Sequence, residues 1–240
     1  MATKILVTGG TGYIAMHVIN ILLKDGHMVR STVRSLKDEK KIEPIKKLAH
    51  NSKHPLELVE ADLLNAASWE SAVKDMDYIL HVASPLPVET VTDEQLIIKP
   101  AVEGTLNVLN AAFNEKNVKR VVVTSSGLAI FGFSWENKVY SEADWASADK
   151  MPTAYGKSKV LAEKAAWDFV EEKKKHNQKC FELAVVHPVL VLGPTLSPTV
   201  GSSVNHFLGI LNNTKGKVPS MSYPCCDVRV SVKTILFFKL

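Results

Sequence analysis

The amino-acid sequence predicts an α/β protein: a doubly wound parallel sheet with helices over both faces. Three observations carry this. Short β-branched runs alternate with longer amphipathic stretches, the order that builds parallel sheets. The short runs are continuously apolar rather than alternating, as strands buried on both faces are. The first turn is rich in glycine. The chain has 240 residues, 46% hydrophobic and 22% charged. That composition excludes disordered, collagenous and coiled-coil classes. The length fits one α/β core with a small appendage.

In order, strands are expected at residues 4–8, 28–33, 56–60, 78–82, 118–124 and 181–186. Helices are expected at 12–24, 37–49, 66–74, 94–114 and 152–175. The fourth of these carries Ile98, Ala101, Val102, Thr105, Leu109 and Ala112 on one stripe, a helical period. The fifth ends on Lys173-Lys174-Lys175. Cations there suit the helix dipole, so the run reads as a solvated helix end and not as a nucleic-acid patch. Net charge is only +4, and four of the 29 basic residues are arginine. Cys180, Cys225 and Cys226 have neither metal-ligand spacing nor a disulfide framework, so no metal site is expected. No apolar run approaches the roughly 20 residues that span a bilayer. The N-terminal apolar run is too short for a secretory signal. A cytoplasmic protein with no membrane or nucleic-acid partner is expected.

The turn Thr8-Gly9-Gly10-Thr11-Gly12-Tyr13-Ile14-Ala15 lies between the first strand and the first helix. Glycine there permits a tight turn and lets backbone amides approach a pyrophosphate at the helix N-terminus. Ala15 is small enough for close helix–strand packing. This is the Rossmann-type arrangement, and Thr8, Gly9, Gly12, Tyr13 and Ile14 are candidate cofactor contacts. A binder of NAD usually has an acid at the end of the second strand. Here that segment has none and ends on Arg34, followed by Lys37, Lys40 and Lys41. A guanidinium grips a 2′-phosphate bidentately, so the expected cofactor is NADP(H). Asp62, with Leu63, follows the third strand and is placed to accept from the adenine amine. Val82, Ala83 and Ser84 follow the fourth and leave room for ribose and phosphates.

Tyr155 and Lys159 are four residues apart near the start of a helix and share a face. Tyrosine titrates at about 10, and an ammonium beside it favours the phenolate. The partner lies in Thr124-Ser125-Ser126-Gly127, at the carboxyl end of the fifth strand, the edge where such sheets bind ligands. A serine hydroxyl there holds a carbonyl oxygen while Tyr155 supplies the proton. Ser125 and Ser126 both qualify, and Thr124 and Ser125 are further cofactor-side candidates.

Together these pieces resemble the extended short-chain dehydrogenase/reductase (NAD-dependent epimerase/dehydratase) family from residue 4 to about 229. Within it they are most similar to the dihydroflavonol reductase-like branch. Residues 29–34, 81–85 and 98–105 carry that closer likeness. The resemblance implies that Ser126 is the catalytic serine and Tyr155 the acid/base. It implies that Lys159 also binds the nicotinamide ribose, and that Arg34 and Lys41 hold the 2′-phosphate. Pro188 to Val191 would line the nicotinamide pocket, and helices 94–114 and 152–175 would form a homodimer. Two departures stand out. Ala101 occupies a position where many extended members carry Asn. The segment Pro152-Thr153-Ala154-Tyr155 lacks the Asn-Trp-Tyr-Cys signature of cinnamoyl-CoA reductases.

Residues 1–190 are thus expected to form the NADP-binding core with the Ser/Tyr/Lys site, and 191–240 an incomplete substrate-binding lobe with an atypical tail from about 230. The family continues further, so the resemblance implies a shortened chain, from splicing, a frameshift or an incomplete gene model. The run from Ile235 to Phe238 would then be an ill-covered apolar tail; the other reading is a short C-terminal strand. The expected function is NADP(H)-dependent reduction of a ketone or aldehyde in a small molecule. The rivals are a nucleotide-sugar epimerase or dehydratase and a non-catalytic NADP-binding protein.

Overall fold

The computed structural model describes residues 2–85, 92–133, 136–198, 200–214 and 224–239. The first half runs β1 (Lys4–Val7), α1 (Tyr13–Lys24), β2 (Met28–Val33), α2 (Glu39–Leu48), β3 (Glu57–Glu60), α3 (Ala67–Val73) and β4 (Tyr78–His81). Then come α4 (Gln95–Asn114), β5 (Arg120–Thr124), α5 (Leu128–Phe131), α6 (Ala154–Lys175) and β6 (Glu182–Val186). Each expected element is present to within a few residues. The chain goes on through β7 (Leu190–Leu192), α7 (Ser202–Leu211), β8 (Cys225–Asp227) and α8 (Val228–Phe237).

β1 to β6 form one parallel sheet in the order β3-β2-β1-β4-β5-β6. The order reverses between β1 and β4, and a ligand crevice opens at the carboxyl ends of strands at such a switch point. The glycine turn follows β1 and Val82–Ser84 follow β4, so both flank that crevice. Apolar side chains point both ways from the strands. Leu6, Ile79 and Val121 join α3, α4 and α6 on one face. Ile5, Val7, Leu80 and Val122 join α1, α2 and α8 on the other. That is why the strands read as unbroken apolar runs. The α4 stripe is buried as expected, except that Val102 is only partly covered and Val108 takes its place in the core.

Two helix starts have local causes. Thr153 accepts a hydrogen bond from the Gly156 N–H and caps α6, setting Tyr155 in the first turn. Asp227 does the same for α8 through the Arg229 N–H.

The tail is not a strand, and it is only partly uncovered. It is the helix α8, and Val228, Val232 and Ile235 are fully buried against α1 and the sheet. Phe237 and Phe238 alone in that run stay exposed. The helix end is held by Arg120, whose guanidinium donates to the Phe238 carbonyl at 2.9 Å. The reason is periodicity: Val228, Val232 and Ile235 fall at i, i+4 and i+7, one helix stripe. Among the described residues no helix is long and apolar enough to cross a membrane. We predict that Ile235→Ala costs about 2–5 kcal/mol of stability by opening a core cavity, measured by urea denaturation. An unchanged transition would mean that α8 is not docked.

Candidate active site

The loop after β1 is built around Thr8. Its hydroxyl accepts from the Val82 and Ala83 N–H groups, both at 3.0 Å. With both lone pairs used, it donates to His81 Nδ1 at 2.9 Å. His81 is therefore the neutral tautomer protonated at Nε2, and burial pushes its pKa down to about 3. This corrects the reading of Thr8 as a cofactor contact. Its side chain is fully buried and its hydroxyl is saturated, so it clamps the crevice from beneath.

Gly9 has φ +71, and a Cβ there would lie 3.0 Å from Ala83. A Cβ on Gly10 would lie 2.2 Å from Ser31 Oγ. Side chains are thus excluded where the backbone must pass close to its neighbours. No side chain caps α1 at Gly12, so the first-turn donors at Tyr13 and Ile14 face the loop without a competing acceptor. Ala15 is fully buried beneath.

Arg34 is exposed at the end of β2 and makes no ion pair among the described residues. Lys41 instead pairs with Asp38 at 2.9 Å, where Asp38 caps α2. That exposed pair is weak. Asp62 also spends one carboxylate oxygen locally, accepting from the Leu64 N–H at 2.8 Å. Leu63 presses against Gly104 of α4.

Across the crevice, Tyr155, Lys159 and Ser126 come together. Ser126 lies close enough to the Tyr155 hydroxyl to favour its ionised form. Lys159 Nζ lies 5.6 Å from the Tyr155 ring centre and donates to the Thr124 carbonyl at 3.4 Å. Ser125 turns away and donates to Glu163 at 2.5 Å. The two serines thus separate: Ser126 faces Tyr155 and Ser125 faces the interior. Thr124 Oγ1 is buried without a partner.

The electrostatics differ from the expectation in one respect. Burial pushes Tyr155 up to about 12, opposed by the neighbouring Ser126 side chain. The anticipated lowering by Lys159 is not expressed in this geometry, because Nζ points at the Thr124 carbonyl and the ring. Burial also pulls Lys159 down to about 8, while Glu163 raises it. Tyrosine is thus an acid and lysine a cation at neutral pH. Pro188 borders the site and its carbonyl accepts from the Gly127 N–H at 2.9 Å. Val191 does not line it. Its side chain is buried in the core beside Val228 and Val232, because β7 turns it toward α8.

Sequence reasoning missed Glu163, His187 and His81. Glu163 had a signal, since Tyr155, Lys159, Glu163 and Trp167 recur at four-residue steps down one face of α6. His187 and His81 had none, because their partners come from other elements. Among the described residues no His, Cys, Asp and Glu cluster is placed to hold a metal.

A glycine turn at a switch point, opposite a Ser/Tyr/Lys group, defines a Rossmann-type oxidoreductase scaffold. The model of the 3-beta hydroxysteroid dehydrogenase/isomerase family matches residues 6–207. The chain belongs to that family, among the extended short-chain dehydrogenases/reductases. An uncharacterized oxidoreductase of Schizosaccharomyces pombe is 36% identical over 243 aligned positions, covering 94% of this chain and 70% of its own. Anthocyanidin reductase of Vitis vinifera is 33% identical over 223, covering 90% of this chain and 64% of its own. The chain thus spans about two thirds of the length of these curated relatives. The solved structure of yeast methylglyoxal/isovaleraldehyde reductase Gre2, complexed with NADPH, aligns at a TM-score of 0.82 with 30% identity. It covers 97% of this chain and 73% of the yeast chain.

The buried neutral His81 has a measurable consequence. Its folded pKa of about 3 lies below the usual 6.5. As pH falls below 6.5 the unfolded chain binds a proton that the folded protein refuses. Stability therefore drops across the window from 6.5 to about 3, by up to roughly 1.4 kcal/mol per pH unit. His81→Asn should flatten that slope in urea denaturation between roughly pH 7 and 4.

Proposed function

We propose that this chain binds NADP(H) and reduces a ketone or aldehyde of a small molecule to an alcohol. The observation that carries the reading is that Tyr155 and Ser126 face each other beside Lys159, at the carboxyl edge of the sheet. Three features fit a dinucleotide: the uncapped N-terminus of α1, the glycine cradle against Ala83, and the unpartnered buried Thr124 Oγ1. Arg34 fits the 2′-phosphate, supported by the absence of an acid at the end of β2. Lys41 joins it when released from Asp38. Asp62 keeps one carboxylate oxygen for the adenine amine, and Ala83 and Ser84 leave space for the ribose. Bound NADPH supplies the hydride.

The chain's own groups do the rest. Ser126 donates to the carbonyl oxygen and orients it. Tyr155, a phenol that keeps its proton at neutral pH, delivers that proton to the oxygen as negative charge develops there. Lys159 remains cationic and favours the phenolate that results. The relatives named as reductases support this chemistry. They leave the substrate open, and we assign none.

Residues 1–190 are proposed as the cofactor-binding core and 191–240 as part of the substrate lobe. The paired helices α4 and α6 are the proposed surface for a homodimer. A cytoplasmic location accords with Cys180, Cys225 and Cys226 forming no disulfide among the described residues.

Fluorescence titration should show tighter binding of NADPH than NADH. Arg34→Ala should weaken NADPH by about 10–100-fold, the worth of a charge-assisted bond, and barely alter NADH. Equal affinity of the native chain for both cofactors overturns the NADP(H) assignment. On a panel of ketones and aldehydes, Tyr155→Phe should lower turnover by about 10²–10⁴-fold. Undiminished turnover in that variant removes Tyr155 from the chemistry. Binding of NADPH without turnover of any carbonyl favours the non-catalytic reading.

A further inference from the structure

Glu163 lies one turn past Lys159 and two past Tyr155 on one face of α6, and it is 3% exposed. A carboxylate that deep costs several kcal/mol unless it is paired and hydrogen-bonded. Its partners come from three elements. Ser125 Oγ, beside Ser126 in the loop after β5, donates to Oε2 at 2.5 Å. His187 Nε2, beside Pro188 in the loop after β6, lies 2.8 Å from both oxygens. Trp167 Nε1, one turn further along α6, reaches Oε1 at 3.4 Å. Serine and indole carry no charge and His187 does so only when protonated, whereas Lys159 is an ammonium lining the same cavity as the carboxylate. That ammonium is buried, and its one hydrogen bond among the described residues is the long one to the Thr124 carbonyl.

A small cavity of about 20 Å³ lies between Lys159, Glu163, His81, Ser125 and Thr124. The titratable groups around Lys159 are Tyr155 and Glu163 on α6 and His81 at the end of β4. α4 brings only the hydroxyl of Thr105 to that cavity. His81 is neutral, as its bond from Thr8 requires. Glu163 is thus the anion that faces the buried ammonium.

We propose that Glu163 is a positioning residue: its buried carboxylate balances the Lys159 ammonium and ties the loops after β5 and β6 to α6 beneath the Tyr155 site. The inference rests on the proposed roles of Tyr155, Ser126 and Lys159, but the charge pairing needs no bound cofactor. The perturbation of Lys159 runs in the same direction. Burial draws its pKa down, and Glu163 holds it up. Without the carboxylate the lysine sheds its proton closer to neutrality. The loops carrying Ser126 and Pro188 lose their shared anchor as well.

The test reads Lys159 directly. Cofactor-free protein labelled with ¹³C-lysine is titrated by NMR, with the Lys159 signal assigned by its loss in Lys159→Met. Glu163→Gln, of the same shape, should lower the Lys159 midpoint by about 1 pH unit or more. It should move the alkaline limit of NADPH-dependent turnover down by the same interval, and Glu163→Asp should move it less. An unchanged Lys159 midpoint in Glu163→Gln overturns the proposal. Should that variant not fold, the native protein decides. There the Glu163 carboxyl carbon should respond at the Lys159 midpoint, and a flat signal overturns the pairing. Absence of NADPH-dependent reduction by the native chain would sink the proposed function, leaving the Lys159 midpoint to judge this inference alone.

Discussion

The Thr8 hydroxyl gathers three partners from the end of β4 and the loop after it, and the crevice depends on them. By accepting from Val82 and Ala83 it fixes the loop after β4 against the loop after β1. By donating to His81 it fixes that ring as a neutral tautomer. The two loops then approach so closely that Gly9 has no room for a side chain beside Ala83. A parallel sheet that reverses its strand order leaves a gap at the reversal. Here a single buried hydroxyl sets how wide that gap is.

The opposite wall is organised by charge. α6 presents Tyr155, Lys159, Glu163 and Trp167 at successive turns, with Lys159 and Glu163 buried and the two rings partly so. A buried ammonium and a buried carboxylate would each be unfavourable alone. Together, with Ser125 and His187 filling the remaining acceptor positions, they are compatible with a closed wall. Burial also strengthens the hold of Tyr155 on its proton. An acid that holds its proton suits a carbonyl that has yet to receive its hydride. The chemistry and the packing therefore share one cause, the exclusion of water along that face.

Much of this was legible in the chain. The six strands, the glycine turn and the Tyr155–Lys159 spacing are local patterns, and the folded elements follow them closely. The strongest failures were long-range. Thr8 reads as a loop residue because its partners lie some seventy positions away. Val191 reads as a pocket residue until β7 pairs with β8 and turns it into the core. The segment after Arg229 reads as a stray apolar tail, yet its stripe packs on α1 at the other end of the chain.

The sequence by itself determined the alternation of strand and helix, the site of the tight turn, and which side chains share a face of α6. Those properties depend on residues within a few positions of one another, through apolar period and backbone conformation. The tertiary structure decided which serine meets Tyr155. Ser125 and Ser126 are adjacent and chemically equal. They part only because β5 lies beside β6 and under α6, where Glu163 accepts from one hydroxyl and Tyr155 faces the other. That choice is made by strand order and burial, neither of which is a local property of the chain.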